Sequence, residues 1–188
     1  MNKIFKKLSS LPEDLKYFGD VELRFKSQIV PEYKIGSVDI KKEINRCISF
    51  LKEIRKKIGL GMALVAPQIG IRKRIIVAYL NGEFSVFINP KIIKKSKSKG
   101  IYKEMCLSGM PLAADVIRPW TIQMEYFDNK GIIHKEKLNP QLSRMFQHEI
   151  DHLNGILFVD KAQKGTFIFV DDFLKYKKET KLIKLNVV

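Results

Sequence analysis

The sequence predicts an α+β domain in which antiparallel β-sheets pack around one central buried helix that carries the motif HEIDH. Two observations indicate the sheets: turn-forming residues at Asn81-Gly82 and at 128–131 each lie between runs rich in β-branched and aromatic residues. A third observation indicates the helix, because Asn139 and Pro140 open a segment that is apolar on nearly all sides. Hairpins around one helix are typical of the α+β class.

Length and composition fit one soluble domain over residues 1–188. Hydrophobic residues make up 45% and charged residues 29% of the chain, which is the balance of a globular protein. No run is long and apolar enough to cross a membrane, and the first residues lack the apolar core of a secretory signal. Two cysteines are too few for a disulfide framework. We therefore expect a cytoplasmic protein.

The first long element is an amphipathic helix between Ser37, which can cap its start, and Gly59, which can end it. Its apolar residues recur at a spacing of three and four, and Cys47 lies among them. That position favours a core residue over a metal ligand. Two hairpins are expected to follow, one formed by residues 74–80 and 84–90 and the other by residues 120–127 and 131–138.

The formal net charge of +15 favours polyanions such as the ribosome or a nucleic acid as partners. The lysines are spread along the chain, however, and no specific nucleic-acid-binding motif is present. A solvated basic surface is the simpler interpretation. The C-terminal segment at about 171–185 has the pattern of a basic amphipathic helix, which is predicted either to be a solvated surface helix or to dock on ribosomal RNA.

The strongest chemical signal is HEIDH on the second helix. His148 and His152 are four residues apart, so on a helix they share a face and can bind the same metal ion. Glu149 between them would place a carboxylate beside the metal as a general base. The alternative from the residues alone is a pair of core histidines with no metal.

A catalytic metal needs three protein ligands and an open position, so a further ligand must come from elsewhere. Cys106 in EMCLSGMP is the best candidate, because a thiolate with two imidazoles suits zinc or iron and disfavours magnesium or calcium. An inert buried cysteine is the alternative.

Three separated segments resemble, in the right order, the motifs of the peptide deformylase family. They are GMALVAPQ (61–68), EMCLS (104–108) and QHEIDHLNG (147–155). The third segment matches the family pattern throughout, whereas Ala63 and Met105 stand where the family usually has glycine and Val65 replaces a usual alanine. The resemblance therefore covers every proposed metal ligand.

The resemblance implies that the chain removes the formyl group from the N-terminal formyl-methionine of nascent polypeptides and releases formate. It implies that Cys106, His148 and His152 hold one divalent metal, with Fe²⁺ as the physiological ion and Ni²⁺, Co²⁺ or Zn²⁺ able to replace it. Glu149 would move protons between water and the departing amine. The side-chain amide of Gln68 and the backbone N–H of Leu107 resemble the family's oxyanion donors.

The substrate is expected to bind as an extended strand whose first side chain enters an apolar pocket. Met62 and Met145 can line that pocket with adaptable thioethers. Ala63 and Met105 are expected to border the peptide groove, because they replace glycines of the family pattern. N-formylmethionyl nascent peptides are thus the expected partners, and the ribosome is a further candidate.

Two alternatives remain open. One is another metal-dependent deacylase or peptidase, which the cysteine ligand disfavours. The other is a non-catalytic deformylase-like protein that binds the ribosome or a nucleic acid, which the intact Glu149 disfavours. A bacterial cytoplasm is the expected setting, and an organelle is a second setting compatible with the sequence.

Overall fold

A computed structural model gives the fold for residues 11–170 and 181–185. The first helix, α1, spans Val38–Ile58 and the second, α2, spans Pro140–Leu153. The predicted caps of α1 are confirmed, because the Ser37 hydroxyl accepts a hydrogen bond from the Ile40 N–H and Gly59 adopts a φ of 72°. Neither helix in this part of the chain is long and apolar enough to cross a membrane.

In the described part of the chain, nine strands form two sheets in which the neighbouring strands are antiparallel. The strands are β1 (Ala63–Val65), β2 (Ile75–Leu80), β3 (Glu83–Lys95), β4 (Lys99–Met105), β5 (Leu112–Pro119), β6 (Ile122–Phe127), β7 (Ile133–Lys137), β8 (Ile168–Phe169) and β9 (Ile183–Leu185). One sheet has the order β1-β2-β3-β6-β7 and the other the order β8-β5-β4-β9.

Both predicted hairpins are present. Asn81 and Gly82 connect β2 to β3 with φ angles of 50° and 92°, the left-handed conformation that this dipeptide adopts readily. The turn between β6 and β7 is stabilised by the Asp128 carboxylate, which accepts hydrogen bonds from the N–H groups of Lys130 and Ile132. Local turn chemistry therefore sets the positions of four strands of the larger sheet.

Helix α2 lies between the two sheets, since it contacts β1, β3 and β6 of the larger sheet and β5 of the smaller one. The Asn139 side chain caps its start by accepting a hydrogen bond from the Leu142 N–H. Nine of its residues are buried, among them His148, Glu149 and His152. The predicted architecture, antiparallel sheets around a buried helix that carries HEIDH, is confirmed.

The predicted C-terminal helix at about 171–185 falls largely on residues 171–180, which lie outside the described residues. Where the segment is described again, the prediction of helix is wrong, because residues 183–185 form strand β9 and pair with residues 99–101 of β4. The open edge of β4 supplies backbone hydrogen-bond partners there. The amphipathic pattern within the segment carries no information about β4, because that strand is about 80 residues away in the sequence.

Candidate metal centre

Three side chains meet where the end of β4 approaches the C-terminal half of α2. Cys106 directly follows β4, whereas His148 and His152 lie one turn apart on α2. All three are buried, and their candidate ligand atoms lie within 4.8 Å of one another. The Cys106 Sγ is 3.1 Å from the His152 Nε2. The structure thus brings together the three residues that the sequence analysis selected as ligands.

The environment of Cys106 favours the thiolate, which is the form that binds metals. Burial of the sulfur opposes ionisation, but the positive charge of His152 and hydrogen bonds from His148 and His152 outweigh it. The pKa of the Cys106 thiol is therefore well below its usual value. A thiolate beside two imidazoles fits a borderline-soft divalent ion such as Fe²⁺, Ni²⁺, Co²⁺ or Zn²⁺.

The ring of His148 is oriented by a buried carboxylate. Its Nδ1 lies 2.8 Å from the Glu104 Oε2, which leaves Nε2 as the nitrogen that faces the centre. Glu104 is fully buried, and it also accepts two hydrogen bonds from Arg118 at 2.6 and 2.8 Å. The Nδ1 of His152 is also buried and has no partner among residues 11–170 and 181–185. Within the described residues, a carboxylate therefore holds the imidazole of His148 but not that of His152.

The Glu104 carboxylate belongs to a chain of ion pairs that runs away from the centre. Arg118 donates to Asp151 Oδ2 at 2.6 Å, and Lys161 pairs with the same carboxylate at 2.7 Å. Burial would raise the pKa of Glu104, but the Arg118 guanidinium and His148 outweigh it and hold that pKa well below its usual range. Glu104 is therefore charged when it orients His148.

These ion-paired residues were not predicted to have a role, although the sequence carries a signal for one of them, Arg118. Arg118 falls on the alternate positions of β5 that are otherwise occupied by Ala114 and Val116, and all three are buried. An arginine on the apolar face of a strand needs a buried partner. Glu104 supplies it from the neighbouring strand β4, two residues before Cys106.

Gln68 lies at the end of a short turn after β1, and two hydrogen bonds fix its amide. Its Oε1 accepts from the Val65 N–H at 3.0 Å, and its Nε2 donates to the Ser108 hydroxyl at 3.0 Å. The same Nε2 is 3.6 Å from the Cys106 sulfur. The NH₂ end of the amide, not its oxygen, therefore faces the centre.

Leu107 and Glu149 complete the surroundings of the three candidate ligands. Leu107 begins the turn after Cys106, so no hydrogen bond within that turn uses its N–H. Glu149 is buried, and that burial raises the pKa of its carboxyl group against the opposing charges of His148 and His152. A carboxyl group with a raised pKa exchanges protons more easily near neutral pH.

A cavity of about 710 Å³ opens beside the centre. Cys106, His148 and Glu149 form part of its wall, together with Gln68 and Leu107. The same cavity is lined by the four residues expected to bind substrate, namely Met62, Ala63, Met105 and Met145. Their role in binding stays a prediction, but a cavity that adjoins two of the candidate ligands, Cys106 and His148, can place a substrate carbonyl next to the centre.

The two replacements of glycine cause no backbone strain. Gly61, at the start of the first motif, has a φ of 101°, which favours glycine. Neither Ala63 nor Met105 has a positive φ, and both lie in strands. Their side chains therefore alter the shape of the cavity wall without distorting the chain that carries it.

Comparison with known proteins identifies relatives over most of the chain. The family model described as "Polypeptide deformylase" matches residues 12–167. Peptide deformylase from Prochlorococcus marinus strain NATL1A is 38% identical over 144 residues, covering 69% of this chain and 71% of the relative. Peptide deformylase from Microchaete diplosiphon is 38% identical over 166 residues, covering 85% of this chain and 84% of the relative.

Solved structures agree with the sequence comparisons. Plasmodium falciparum peptide deformylase in complex with an inhibitor has a TM-score of 0.71 at 35% identity, covering 80% of this chain and 89% of that one. A peptide deformylase from Synechococcus elongatus in complex with actinonin has a TM-score of 0.70 at 34% identity, covering 84% and 82% respectively.

Proposed function

The chain belongs to the polypeptide deformylase family, and we propose that it performs that family's reaction with the centre formed by Cys106, His148, His152 and Glu149. It is a metal-dependent hydrolase that removes the N-formyl group from nascent polypeptides, releasing formate and a free amine. The observation that carries the proposed site is the meeting of three ligand atoms within 4.8 Å beside a buried carboxyl group and a cavity.

Cys106, His148 and His152 would hold the metal through a thiolate and two imidazole nitrogens. A divalent ion bound there supplies Lewis-acid chemistry that lowers the pKa of a water molecule. Glu104 orients His148 through its Nδ1, and Arg118 holds Glu104 in the charged state. The donor set fits Fe²⁺, Ni²⁺, Co²⁺ or Zn²⁺ alike, and the resemblance to the deformylase family supports Fe²⁺ as the physiological ion.

Glu149 takes a proton from the attacking water and delivers it to the departing amine as the C–N bond breaks. The formyl oxygen gains negative charge when water adds to the carbon. The Nε2 of Gln68 and the N–H of Leu107 donate hydrogen bonds to that oxygen. Because Val65 and Ser108 fix the amide of Gln68 beforehand, the donor needs little reorganisation during the reaction.

The cavity supports N-formylmethionyl peptides as substrates. Met62 and Met145 offer thioethers to an unbranched apolar side chain, while Ala63 and Met105 border the path of the peptide. Nascent chains meet the enzyme at the ribosome, and the net charge of +15 supports attraction to ribosomal RNA. We place the reaction in a bacterial cytoplasm or in an organelle that translates with formyl-methionine.

The decisive experiment measures formate released from formyl-Met-Ala-Ser by protein purified without oxygen, with the metal content determined in the same preparation. Stoichiometric metal and rapid formate release are expected. Metal-loaded protein that releases no formate would contradict the proposal and favour a non-catalytic binding protein. Cleavage of acetylated or internal peptide bonds at a comparable rate would instead favour a general deacylase or peptidase.

A further inference from the structure

Among the described residues, the cavity wall carries three cationic side chains besides the histidine at the centre. Two of them have partners within the chain. Arg55 donates to the Gly61 carbonyl at 2.8 Å, and Lys103 pairs with Asp115 at 2.8 Å. The third, Arg144, has no carboxylate within ion-pair distance among residues 11–170 and 181–185. Arg55 also lacks a carboxylate, but its guanidinium is hydrogen-bonded, so Arg144 is the cation of this wall to which the described chain offers neither an ion pair nor a hydrogen-bond acceptor.

Arg144 is nevertheless held in place. It lies on α2 four residues before His148, so both side chains project from the same face of the helix. Its guanidinium carbon lies over the Tyr102 ring, 4.2 Å from the centroid, in the arrangement of a cation–π contact. Arg144 is half-buried. The contact restrains the position of the guanidinium, and its N–H groups remain available to an acceptor, since none of the described residues accepts a hydrogen bond from them.

The acceptor is not Glu149, which is the carboxylate of the described cavity wall. Arg144 lowers the pKa of that group only as a minor charge effect, and the two side chains form no ion pair. The wall near Arg144 also contains Asn139, Pro140 and Gln141, the start of α2. The positive end of the helix dipole therefore adds to the charge of Arg144.

A guanidinium carries five N–H donors in a fork that matches a carboxylate in bidentate geometry. Met62 and Met145 give the apolar part of the cavity to the first side chain of the substrate. We propose that Arg144 is a specificity residue that binds the side-chain carboxylate of an aspartate or glutamate following formyl-methionine. This inference rests on the proposed deformylase function, and it makes this enzyme selective among nascent chains.

The test compares two nearly isosteric substrates, formyl-Met-Glu-Ser amide and formyl-Met-Gln-Ser amide, with the metal-loaded enzyme. We expect kcat/KM to favour the glutamate peptide by about tenfold, mainly through KM. Arg144→Met should reduce that ratio to near one, and Arg144→Lys should retain part of it. High salt should lower the ratio in the wild-type enzyme. A wild-type ratio near one, or a ratio that survives in Arg144→Met, overturns the inference.

Arg46→Met is the matched control, because Arg46 forms an exposed ion pair with Asp14 on the surface and its removal changes net charge equally. The glutamate-to-glutamine ratio should stay at its wild-type value in this variant. If Arg144→Met does not fold, Arg144→Gln replaces it, and metal content confirms that the centre is intact. An equal loss of the ratio in Arg46→Met would assign the preference to overall charge and overturn the role of Arg144.

A free α-carboxylate offers the same chemistry as an acidic side chain, so a second pair of peptides separates the two sources. If formyl-Met-Ala as the free acid is preferred over its amide while the glutamate peptide has no advantage, Arg144 binds a chain terminus and the proposal for nascent chains fails. Failure of the proposed deformylase function would give a different result from failure of the role of Arg144. In that case neither the wild-type enzyme nor any variant releases formate from any peptide, whatever its charge.

Discussion

The metal centre and the outer cavity differ in how their charged groups are partnered. At the centre, Glu104 is matched by Arg118, and the chain of ion pairs continues to Asp151 and Lys161. In the outer cavity, Arg144 contacts the ring of Tyr102 but meets no carboxylate in the described part of the chain. Internal pairing keeps the catalytic geometry constant for every substrate. A charge without an internal partner lets the enzyme distinguish one substrate from another.

The largest effect is expected from removing a metal ligand. Cys106→Ala should leave an incomplete coordination shell, so metal content should fall well below one ion per chain. Activity should fall by about a thousandfold or more. Metal analysis and formate release measure both. Cys47→Ala is the control, since Cys47 is also buried but lies in the hydrophobic core away from the centre. His148→Ala and His152→Ala should behave like Cys106→Ala, and full metal retention in any of them would remove that residue from the ligand set.

Glu149→Gln should separate chemistry from metal binding. The amide keeps the shape of the side chain but cannot accept a proton, so turnover should fall by roughly a hundredfold or more while the metal stays bound. Steady-state kinetics on formyl-Met-Ala-Ser with metal analysis provide the measurement. Glu53→Gln, in an exposed ion pair with Lys57, should leave both values unchanged. Near-normal turnover in Glu149→Gln would exclude the proposed proton transfer.

Arg118→Met tests whether the paired network stabilises the centre. The variant leaves Glu104 as a buried carboxylate without its main partner, which should cost about 3–5 kcal/mol of unfolding free energy. Looser orientation of His148 should also weaken metal affinity by about 10- to 100-fold. The exposed pair of Arg46 and Asp14 gives the contrast, since Arg46→Met should cost about 0–1 kcal/mol. Denaturant unfolding measures both losses. Equal losses of unfolding free energy in the two variants would show that the buried network contributes no more stability than a surface ion pair.

The smallest effect is expected at Met105, on the cavity side. Its side chain lines the cavity and packs against the hydrophobic cluster that includes Leu107 and Met110. Met105→Gly should widen the groove and lower KM for formylated tripeptides by about threefold, which corresponds to ~0.6 kcal/mol. Metal content should not change. A lower kcat instead would mean that Met105 excludes water from the centre.

Local signals predicted much of the fold because their causes are local. The cap of α1 at Ser37, the turn at Asn81-Gly82 and the cap of α2 at Asn139 each depend on hydrogen bonds or φ angles within a few residues. Two of the candidate ligands could also be predicted from a local pattern, since the four-residue spacing of His148 and His152 places them on one helix face. Cys106 was assigned through its motif rather than through any spacing.

Features formed between distant segments were not predicted. Arg118 meets Glu104 across β4 and β5, so neither segment alone shows that the other neutralises it. Strand β9 depends on the open edge of β4, about which residues 183–185 contain no information. The absence of a carboxylate beside Arg144 in residues 11–170 and 181–185 is likewise visible only when the surrounding side chains are in place. Sequence patterns predict elements and motifs, whereas charge balance depends on the packed structure.

Because α2 lies between the sheets, a metal bound at the centre would also stabilise the folded state of the protein. Cys106 and His152 are 46 positions apart and belong to different layers, so an ion bound to both acts as a reversible cross-link between the smaller sheet and the helix. A ligand that binds only the folded state adds stability that grows with the logarithm of its free concentration. The lifetime of the folded enzyme in a cell should therefore follow metal supply, and metal starvation would reduce its abundance as well as its turnover.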